Sequence, residues 1–298
     1  MQSLHNMGLI MAVLPDDFCA FILTHGRADR VFTYDSLRRS GYSGRLYIVI
    51  DDEDETAGEY FERFGRENVL VFSKKEVAST FDEADIFNDR RSIVYARNAC
   101  FSLAKQVGCR HFIQLDDDYT GFYYRFDKDF KYSFKPIKNI DTVWAAMLDY
   151  FVSTPFLSIA MTQGGDFIGG NGSTHAKSVT GIRKAMNSFI CSTERPFKFI
   201  GRINEDVNTY TCVQHRGGAF LSLTQVSLNQ KTTQSNEGGM TDLYLDSGTY
   251  VKSFYTVMFA PSCTRIVDMG DKHRRIHHQV NWDAAAPKIL HEKHRRVK

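Results

Sequence analysis

The sequence has no run of about 18 apolar residues, which is the length that a membrane-spanning helix requires. We therefore predict no transmembrane segment and no membrane partner. The apolar stretch of residues 7–14 has no Lys or Arg before it and no small-residue cleavage pattern after it, so a signal peptide is not predicted either. Proline is also scarce, with 6 in 298 residues, and the composition is that of a globular chain large enough for one α/β domain.

Cysteine is sparse and scattered. The six residues contain no Cys-x-x-Cys pair, which argues against a zinc site and against a disulfide framework. We predict free thiols, mostly in the core, and a cytoplasmic protein. These residues are Cys19, Cys100, Cys109, Cys191, Cys212 and Cys263.

Net charge is small, at +2, but it is unevenly distributed. From Pro261 onward there are nine Lys and Arg against four Asp and Glu, a local charge of +5. Such a basic C-terminal segment fits a polyanionic partner or the phosphates of a bound nucleotide. An ordinary solvated tail is the alternative.

Short apolar runs alternate with helical stretches over the first 120 residues. Strands are predicted at residues 18–23, 46–50, 69–72 and 111–115, and helices at residues 28–39, 55–64 and 95–106. This alternation predicts an α/β fold with a Rossmann-like, mostly parallel sheet flanked by helices. Ligands bind such sheets beyond the carboxyl ends of the strands. Here those ends are followed by three polar clusters, at residues 24–27, 51–54 and 116–118.

The second half of the chain is less regular. A helix is predicted at 144–152, strands at 157–161, 219–223 and 255–259, and a loop rich in Gly and Asn at 163–173. No linker divides the chain. We therefore predict one domain over residues 18–298, preceded by an extension, residues 1–17, that is a candidate for disorder.

Three consecutive carboxylates, Asp116, Asp117 and Asp118, follow the fourth predicted strand. Like charges at this spacing raise each other's pKa, and a divalent cation removes the conflict. Mg²⁺ and Mn²⁺ prefer oxygen ligands and commonly bridge carboxylates to phosphates. Alternate residues of extended backbone point to opposite sides, so Asp116 and Asp118 are predicted to share a direction. A helix N-cap or a solvated loop is the alternative for such a run.

Other charged residues are candidates for the same site. Arg97, on the helix before this strand, either counters the carboxylates or reaches a phosphate, with a surface position as the alternative. Asp206, next to Glu205 at the start of a predicted helix, is a candidate general base. The alternative for this acidic pair is stabilisation of the helix dipole.

A paired histidine and a basic cluster occur near the C-terminus. His277 or His278 is a candidate for completing a metal site, and surface polar residues are the alternative. Nearby Lys272, Arg274 and Arg275 would suit a diphosphate.

Residues 122–138 interleave seven Phe and Tyr with five Lys and Arg. This composition is typical of surfaces that grip phosphates and stack on bases. A half-buried β-hairpin with a solvated charged face produces it equally well.

Seven short segments share their order and spacing with a known family. They are FILTHGRAD (21–29), GYSG (41–44), IVIDDEDE (48–55), VYARNA (94–99), QLDDDY (114–119), INEDVN (203–208) and RIHHQVNW (275–282). Over residues 18–290 the chain resembles the TET-associated glycosyltransferases that bacteriophages encode. The resemblance implies a GT-A fold, a UDP-sugar donor, a DxD-type Mn²⁺ or Mg²⁺ site, and transfer of the sugar to 5-hydroxymethylcytosine in phage DNA, within the cytoplasm of the infected cell.

The resemblance also implies roles for individual residues. Residues 18–120 would bind the nucleotide sugar and residues 121–298 the acceptor. Asp206 would be the base, with Glu205 beside it, and His277 or His278 a late metal ligand. The remaining donor-site and metal candidates are Thr24, His25, Arg27 and Arg97 for the nucleotide, Asp51 for the uracil or ribose, and Asp116, Asp117 and Asp118 for the ribose and metal.

Three alternatives to this function stay open on the sequence. The first is a GT-A enzyme with a polysaccharide or protein acceptor. The second is a nucleotidyltransferase, although THGRADR at residues 24–30 is a poor match to a Gly-rich phosphate loop. The third is a non-catalytic module that binds nucleotide sugars or DNA.

Overall fold

The computed structural model describes residues 13–84, 90–231, 241–269 and 275–285. The helices are α1 (Phe32–Arg39), α2 (Ala57–Phe64), α3 (Lys74–Ala78), α4 (Val94–Gln106), α5 (Ile140–Val152), α6 (Glu205–His215), α7 (Thr241–Phe259) and α8 (Trp282–Ala285). The strands are β1 (Phe18–Leu23), β2 (Arg45–Asp51), β3 (Val69–Phe72), β4 (His111–Asp116), β5 (Tyr119–Phe126), β6 (Tyr132–Pro136), β7 (Ser158–Gln163), β8 (Ser188–Ser192), β9 (Phe220–Gln230), β10 (Thr264–Met269) and β11 (Arg275–Val280).

Nine strands form one sheet in the order β3-β2-β1-β4-β8-β7-β9-β5-β6. The first four are mutually parallel, as predicted from the alternation of strands and helices. In the second half only β7 and β9 pair in parallel, and the other pairings are antiparallel. β10 and β11 form a separate antiparallel pair. The predicted α/β fold with a Rossmann-like parallel half is therefore confirmed. Most of the parallel pairings join β1, β2, β3 and β4, and the three predicted polar clusters follow β1, β2 and β4.

Strand β1 shows how this sheet is buried. All six of its residues are buried, because helices cover both faces of the parallel half. Phe18, Ala20 and Ile22 enter one hydrophobic cluster, while the alternate residues enter the other. The six cysteines are free thiols, and five of them are buried, as predicted.

Several boundaries differ from the predictions. The strand predicted at 255–259 is wrong, because these residues form the end of the 19-residue helix α7. A short apolar run cannot be assigned to strand or helix by periodicity alone, and the polar first half of α7 hides its length. Strands β8, β10 and β11 were not predicted. The N-terminal residues 1–12, Lys272, Arg274 and residues 286–298 lie outside the described residues, so much of the predicted basic segment does too.

Candidate functional site

The carboxyl ends of β2, β1 and β4 are adjacent, so the predicted polar clusters meet at one edge of the sheet. Leu23 pairs with Asp116 across β1 and β4, and the Thr24 amide donates to the Val49 carbonyl at 3.2 Å. Strands β7 and β9 run in the same direction as β4, because β8 is antiparallel to both of its neighbours. The carboxyl ends of β2, β1, β4, β7 and β9 therefore all lie at this edge, and so does the end of β3, which is parallel to β2. This is the ligand side of an open α/β sheet.

Asp117 ties two of the strand ends together. The Thr24 hydroxyl donates to its Oδ2 at 2.6 Å, and Arg27 Nη2 lies 3.1 Å from the same oxygen. Burial raises the pKa of Asp117, although the charge of Arg27 and the hydrogen bond from Thr24 act against this rise. Asp117 is thus committed to protein partners.

Asp51 lies between the His25 ring and the Lys74 ammonium group. His25 Nδ1 is 2.8 Å from Asp51 Oδ2, and Lys74 Nζ is 2.9 Å from Oδ1. Burial alone would raise the pKa of Asp51, but these partners hold it below its usual value. The hydrogen bond to Asp51 likewise raises the pKa of His25. Lys74 was not predicted, because nothing in the local sequence relates the start of the short helix α3 to the end of β2.

Arg97 joins the acidic ends of β4 and α6. Its guanidinium donates to Asp116 Oδ1 and to Glu205 Oε1, each at 2.9 Å. The side chain is 1% exposed, and its charge lies 4.9 Å from the centre of the Phe189 ring. The surface alternative for Arg97 is therefore wrong, and the interpretation as a counter-charge to the carboxylates is confirmed by this geometry.

Replacing Arg97 by Met is expected to destabilise the protein by about 3–5 kcal/mol, because two buried carboxylates lose their shared cation. Without that cation, the pKa values of both acids in the folded state rise further above their unfolded values. The folded variant then binds more protons than the unfolded chain does. Its stability therefore falls as pH rises from the unfolded pKa values of these two acids to their higher folded values. Urea unfolding at pH 5.5 and pH 8 measures both effects.

Arg110 provides the matched control for this variant. Its side chain is 54% exposed and pairs with Asp17 at 3.1 Å, so Arg110→Met is expected to cost less than about 1 kcal/mol at either pH. Equal losses for the two variants would contradict the assignment of Arg97 as a buried counter-charge.

Asp118 differs from the other two carboxylates of the triplet, because no side-chain hydrogen bond or ion pair joins it to another residue in the part of the chain that the structure describes. Its Oδ1 is buried without a hydrogen bond. Burial, together with the charges of Asp116 and Asp117, raises its pKa to about 7. Burial also raises the pKa of Asp116 to about 6, against the opposing charge of Arg97. A buried, unpartnered carboxylate oxygen next to a second carboxylate fits a divalent cation.

The backbone around the triplet is fixed by neighbouring elements. Residues 117 and 118 form a turn, so the alternation of extended backbone assumed for the triplet ends at Asp116. The Thr33 hydroxyl donates to the Asp116 carbonyl at 2.6 Å, and the Thr33 amide donates to the Asp117 carbonyl at 3.0 Å. The Lys231 amide donates to the Asp118 carbonyl at 3.1 Å. Thr33 and Lys231 are supporting residues that the sequence did not indicate.

Glu205 and Asp206 begin α6, immediately after Asn204, whose φ of 55° is in the left-handed region. Burial raises the pKa of both acids. Glu205 is bound to Arg97, whereas Asp206 Oδ1 accepts the amide of Val207 at 2.8 Å. Among the described residues, Glu205 thus has a guanidinium at hydrogen-bond distance and Asp206 does not.

The paired histidines lie on β11, with ring centres 4.4 Å apart. His278 Nδ1 is 3.4 Å from Asn204 Nδ2, which places this histidine next to the start of α6. Burial and the charges of His277 and Lys252 lower its pKa to about 4, so the imidazole is neutral near pH 7. Over the described residues, no three His, Cys, Asp or Glu side chains are grouped as a metal site, so a histidine ligand stays a prediction.

The aromatic and basic stretch forms the hairpin of β5 and β6 at one end of the sheet. Because β5 is antiparallel to β9, its turn at residues 127–131 points away from the carboxylate edge. Arg125 is buried and donates to Ser227 at 2.6 Å, while Phe130 is 71% exposed. The stretch is therefore a β-hairpin, as the alternative interpretation predicted. A contact between its exposed residues and nucleic acid stays a prediction.

Cavity size does not identify the site. A cavity of about 690 Å³ lies at the amino end of β1 and β2, lined by residues that include Phe18, Arg45 and Asp141. This is the opposite edge of the sheet from Asp116–Asp118. The carboxylates, the raised pKa values and the strand topology all favour the carboxyl edge as the functional one.

An α/β sheet with clustered carboxylates and cations at the carboxyl ends of its strands is typical of enzymes that bind nucleotides and their phosphates. The family model for TET-Associated Glycosyltransferase matches residues 18–239, about three quarters of the chain. The chain therefore belongs to this family and is a glycosyltransferase. Its membership confirms the resemblance and the assignment as an enzyme, so a nucleotidyltransferase and a non-catalytic module are no longer favoured.

Solved structures with a similar fold include a mannosyltransferase from Pyrobaculum calidifontis in complex with GDP-Man and Mn²⁺, with 12% identity and a TM-score of 0.47. That match covers 83% of this chain and 66% of the mannosyltransferase. S. aureus TarS 1-349 in complex with UDP has 12% identity and a TM-score of 0.40, over 71% and 60% of the two chains. Glucosyl-3-phosphoglycerate synthase from Mycobacterium tuberculosis has 10% identity and a TM-score of 0.41, over 88% and 86%.

The chain spans less than two thirds of the length of the first two of these structures. A comparison with functionally curated proteins finds no significant match. Among the helices of the described residues, none has the length and apolar character needed to cross a membrane.

Proposed function

We propose that this glycosyltransferase moves a sugar from a UDP-sugar to the hydroxyl of 5-hydroxymethylcytosine in DNA, with the help of Mn²⁺ or Mg²⁺. The observation that carries the proposal is the meeting, at one sheet edge, of the Arg97 ion-pair cluster, the start of α6 and Asp118, whose Oδ1 is buried with no partner among the described residues. Family membership supports the modified base as acceptor. Residues 18–120 would bind the donor, and residues 121–298 the acceptor, within one domain.

The residues around β1 and β2 would bind the nucleotide. Asp51 presents a carboxylate that can accept a hydrogen bond from the uracil or a ribose hydroxyl, and His25 and Lys74 hold it ionised. Arg27 is 26% exposed at the same edge, where its charge can face a phosphate. Thr24 and Asp117 keep these strand ends in register.

The leaving diphosphate requires positive charge near the carboxylate turn. Asp116 and Asp118 would hold the divalent cation, with His278 or His277 as a further ligand. When bound, the cation neutralises the charge that builds on the diphosphate. The buried Asp118 oxygen, with its raised pKa, supports this assignment. Arg97 keeps Asp116 and Glu205 at fixed positions on either side of its guanidinium.

Asp206 would act on the acceptor. A hydroxymethyl group is a weak nucleophile until its proton is removed, and a carboxylate with a raised pKa is a suitable base near neutral pH. Asp206 takes the hydroxyl proton as the oxygen forms its bond to the anomeric carbon, and the bond from that carbon to the diphosphate breaks. UDP leaves with the electron pair of the broken bond.

One assay tests the proposal. The protein is incubated with Mn²⁺, a panel of UDP-sugars, and duplex DNA with or without 5-hydroxymethylcytosine, and the digested nucleosides are weighed. We expect one sugar mass on the modified base alone, and its loss when EDTA replaces Mn²⁺. Release of UDP without any DNA adduct would contradict the DNA acceptor, and turnover in EDTA would contradict the metal requirement.

A further inference from the structure

The turn that joins β5 to β6 exposes a phenylalanine in a strained conformation. Phe130 is 71% exposed, and its φ of 58° lies in the left-handed region, which favours Gly and Asn and is costly for a bulky side chain. A glycine at this position would give the same turn without the strain and without the exposed apolar surface. The fold therefore gives no reason for a phenylalanine here, and strained residues of this kind are concentrated at functional sites.

The turn holds Phe130 in a fixed position. The Asp127 amide donates to the Lys131 carbonyl at 2.9 Å, and the Phe130 amide donates to the Asp127 carbonyl at 3.1 Å. The Oδ1 atom of Asp127 accepts the amides of Asp129 and Lys131, each at 2.9 Å. Four hydrogen bonds thus close the turn, so its backbone loses little conformational entropy when Phe130 meets a partner.

Exposed lysines continue from this turn along β6, the strand at one end of the nine-stranded sheet. None of them forms an ion pair with another residue in the part of the chain that the structure describes. They are Lys128, Lys131, Lys135 and Lys138, and together with Phe130 we call them the hairpin surface. The two acids of this stretch lie in the turn, where the carboxylate of Asp127 accepts backbone amides. The outer edge of the hairpin is therefore positively charged.

The hairpin surface leads back to the carboxylate turn. β5 begins immediately after Asp118, and β6 returns antiparallel to it. The Ile137 amide donates to the Phe122 carbonyl at 2.9 Å, so the next residue, Lys138, lies beside the first part of β5. Between Asp118 and the turn lie the 8 residues of β5, a length of about 25 Å. This length corresponds to about 8 base pairs of DNA.

We propose that the hairpin surface binds duplex DNA on one side of the acceptor nucleotide, with its lysines on backbone phosphates and Phe130 in the minor groove. The inference rests on the proposed function and adds to it where the DNA lies on the protein. A row of exposed cations around an exposed aromatic ring matches a nucleic acid better than an apolar or a basic partner. Proteins that bind the minor groove insert Phe side chains between base steps in this way. The contact lies about 8 base pairs from the modified base, so it contributes affinity and does not select that base.

Phe130→Gly separates DNA binding from folding. Glycine adopts the φ of residue 130 without strain, so this variant is expected to have a Tm equal to or above that of the wild type. In fluorescence anisotropy with a labelled duplex that carries one 5-hydroxymethylcytosine, its Kd is expected to rise about 10-fold. Phe130→Leu keeps an apolar side chain and is expected to raise the Kd less than about threefold. A purely structural role for Phe130 predicts the reverse, a lower Tm with an unchanged Kd.

The lysines are tested by their effect on affinity and on its salt dependence. Lys131→Gln and Lys135→Gln are each expected to weaken DNA binding about 3- to 10-fold and to reduce the slope of log Kd against log salt by about 1. Lys105→Gln is the matched control, because Lys105 is an exposed residue in the last turn of α4, which is followed by the amino end of β4. It is expected to keep the wild-type affinity and salt slope.

The length of the DNA gives a further test. Transfer is measured on duplexes in which about 5 or about 12 base pairs flank the modified base on each side, since only the longer arms reach the turn. We expect the wild-type KM for DNA to be about 10-fold lower on the longer duplex. The triple variant Phe130→Gly, Lys131→Gln, Lys135→Gln is expected to have the short-duplex KM on both, with the KM for the UDP-sugar within about twofold of the wild type.

Equal wild-type KM values on the two duplexes, or wild-type DNA affinity in all of the single variants, would show that the hairpin does not bind DNA. If Phe130→Gly abolishes self-association in analytical ultracentrifugation and leaves DNA binding unchanged, the turn contacts a second copy of the chain and the proposal is wrong. A wild type that binds duplex DNA through the hairpin but transfers no sugar to it contradicts the proposed function instead.

Discussion

Asp118→Ala is expected to lower the rate of sugar transfer at least about 1,000-fold while the protein remains folded. A bound cation contributes several kcal/mol of stabilisation to a leaving diphosphate, and each 1.36 kcal/mol corresponds to a tenfold change in rate. Within the carboxylate triplet, Asp118 is the residue with a buried oxygen that has no hydrogen-bond partner among the described residues, so its removal affects a cation more than it affects the protein.

The direction in which Asp118→Ala changes the free energy of unfolding follows from the pKa of Asp118. The pKa of Asp118 is raised to about 7 in the folded protein, above its ordinary value, so the ionised group opposes folding at alkaline pH. Removing it is expected to leave stability at pH 8 equal to or above that of the wild type. The difference disappears as pH falls below the unfolded pKa of aspartate, where both states are protonated.

A metal titration separates the two roles of this residue. Added Mn²⁺ is expected to raise the Tm of the wild type, because a ligand that binds only the folded state stabilises it, and to leave the Tm of Asp118→Ala unchanged. Asp129→Ala makes the same chemical change at an exposed residue of the β5–β6 turn, and it is expected to behave like the wild type. Full transfer activity in Asp118→Ala, or an unaltered Mn²⁺ response, would remove Asp118 from the metal site.

The polar cluster at the carboxyl ends of β1, β2 and β4 could be predicted from the sequence, because each part of it directly follows a short apolar strand. Parallel strands bring their carboxyl ends to one edge, so the order of the polar clusters along the chain determines where they meet. Thr24, Asp51 and Asp116 are predicted in this way and lie together in the structure. Lys74, Thr33 and Lys231 were missed, because their contacts depend on how loops and helix ends fold back onto the sheet.

The second half of the sheet shows the limit of such prediction. The direction of β5 and the mixed order β8-β7-β9-β5 come from long-range pairings that local periodicity does not encode. The aromatic and basic stretch therefore suggested a nucleic-acid surface, although its turn points away from the carboxylates.

The second large effect is expected at Asp206. Asp206→Asn is expected to lower kcat for transfer to 5-hydroxymethylcytosine about 10²- to 10⁴-fold, the usual contribution of a general base, with little change in the KM for the UDP-sugar. The asparagine oxygen can still accept the hydrogen bond from the Val207 amide that Asp206 Oδ1 accepts. Because burial raises the pKa of Asp206, replacing it by a neutral amide does not weaken folding near neutral pH.

The pH dependence distinguishes a base from a structural carboxylate. A base must be ionised, so the wild-type kcat is expected to fall as pH drops through the raised pKa of Asp206, and this acidic limb disappears in Asp206→Asn. Glu205→Gln is the neighbouring control: it removes the charge that pairs with Arg97 at 2.9 Å but leaves Asp206 in place, so we expect the acidic limb to be retained. If Asp206→Asn keeps its kcat within about threefold and retains the acidic limb, the proton is taken by another group, and Asp206 serves only to begin helix α6.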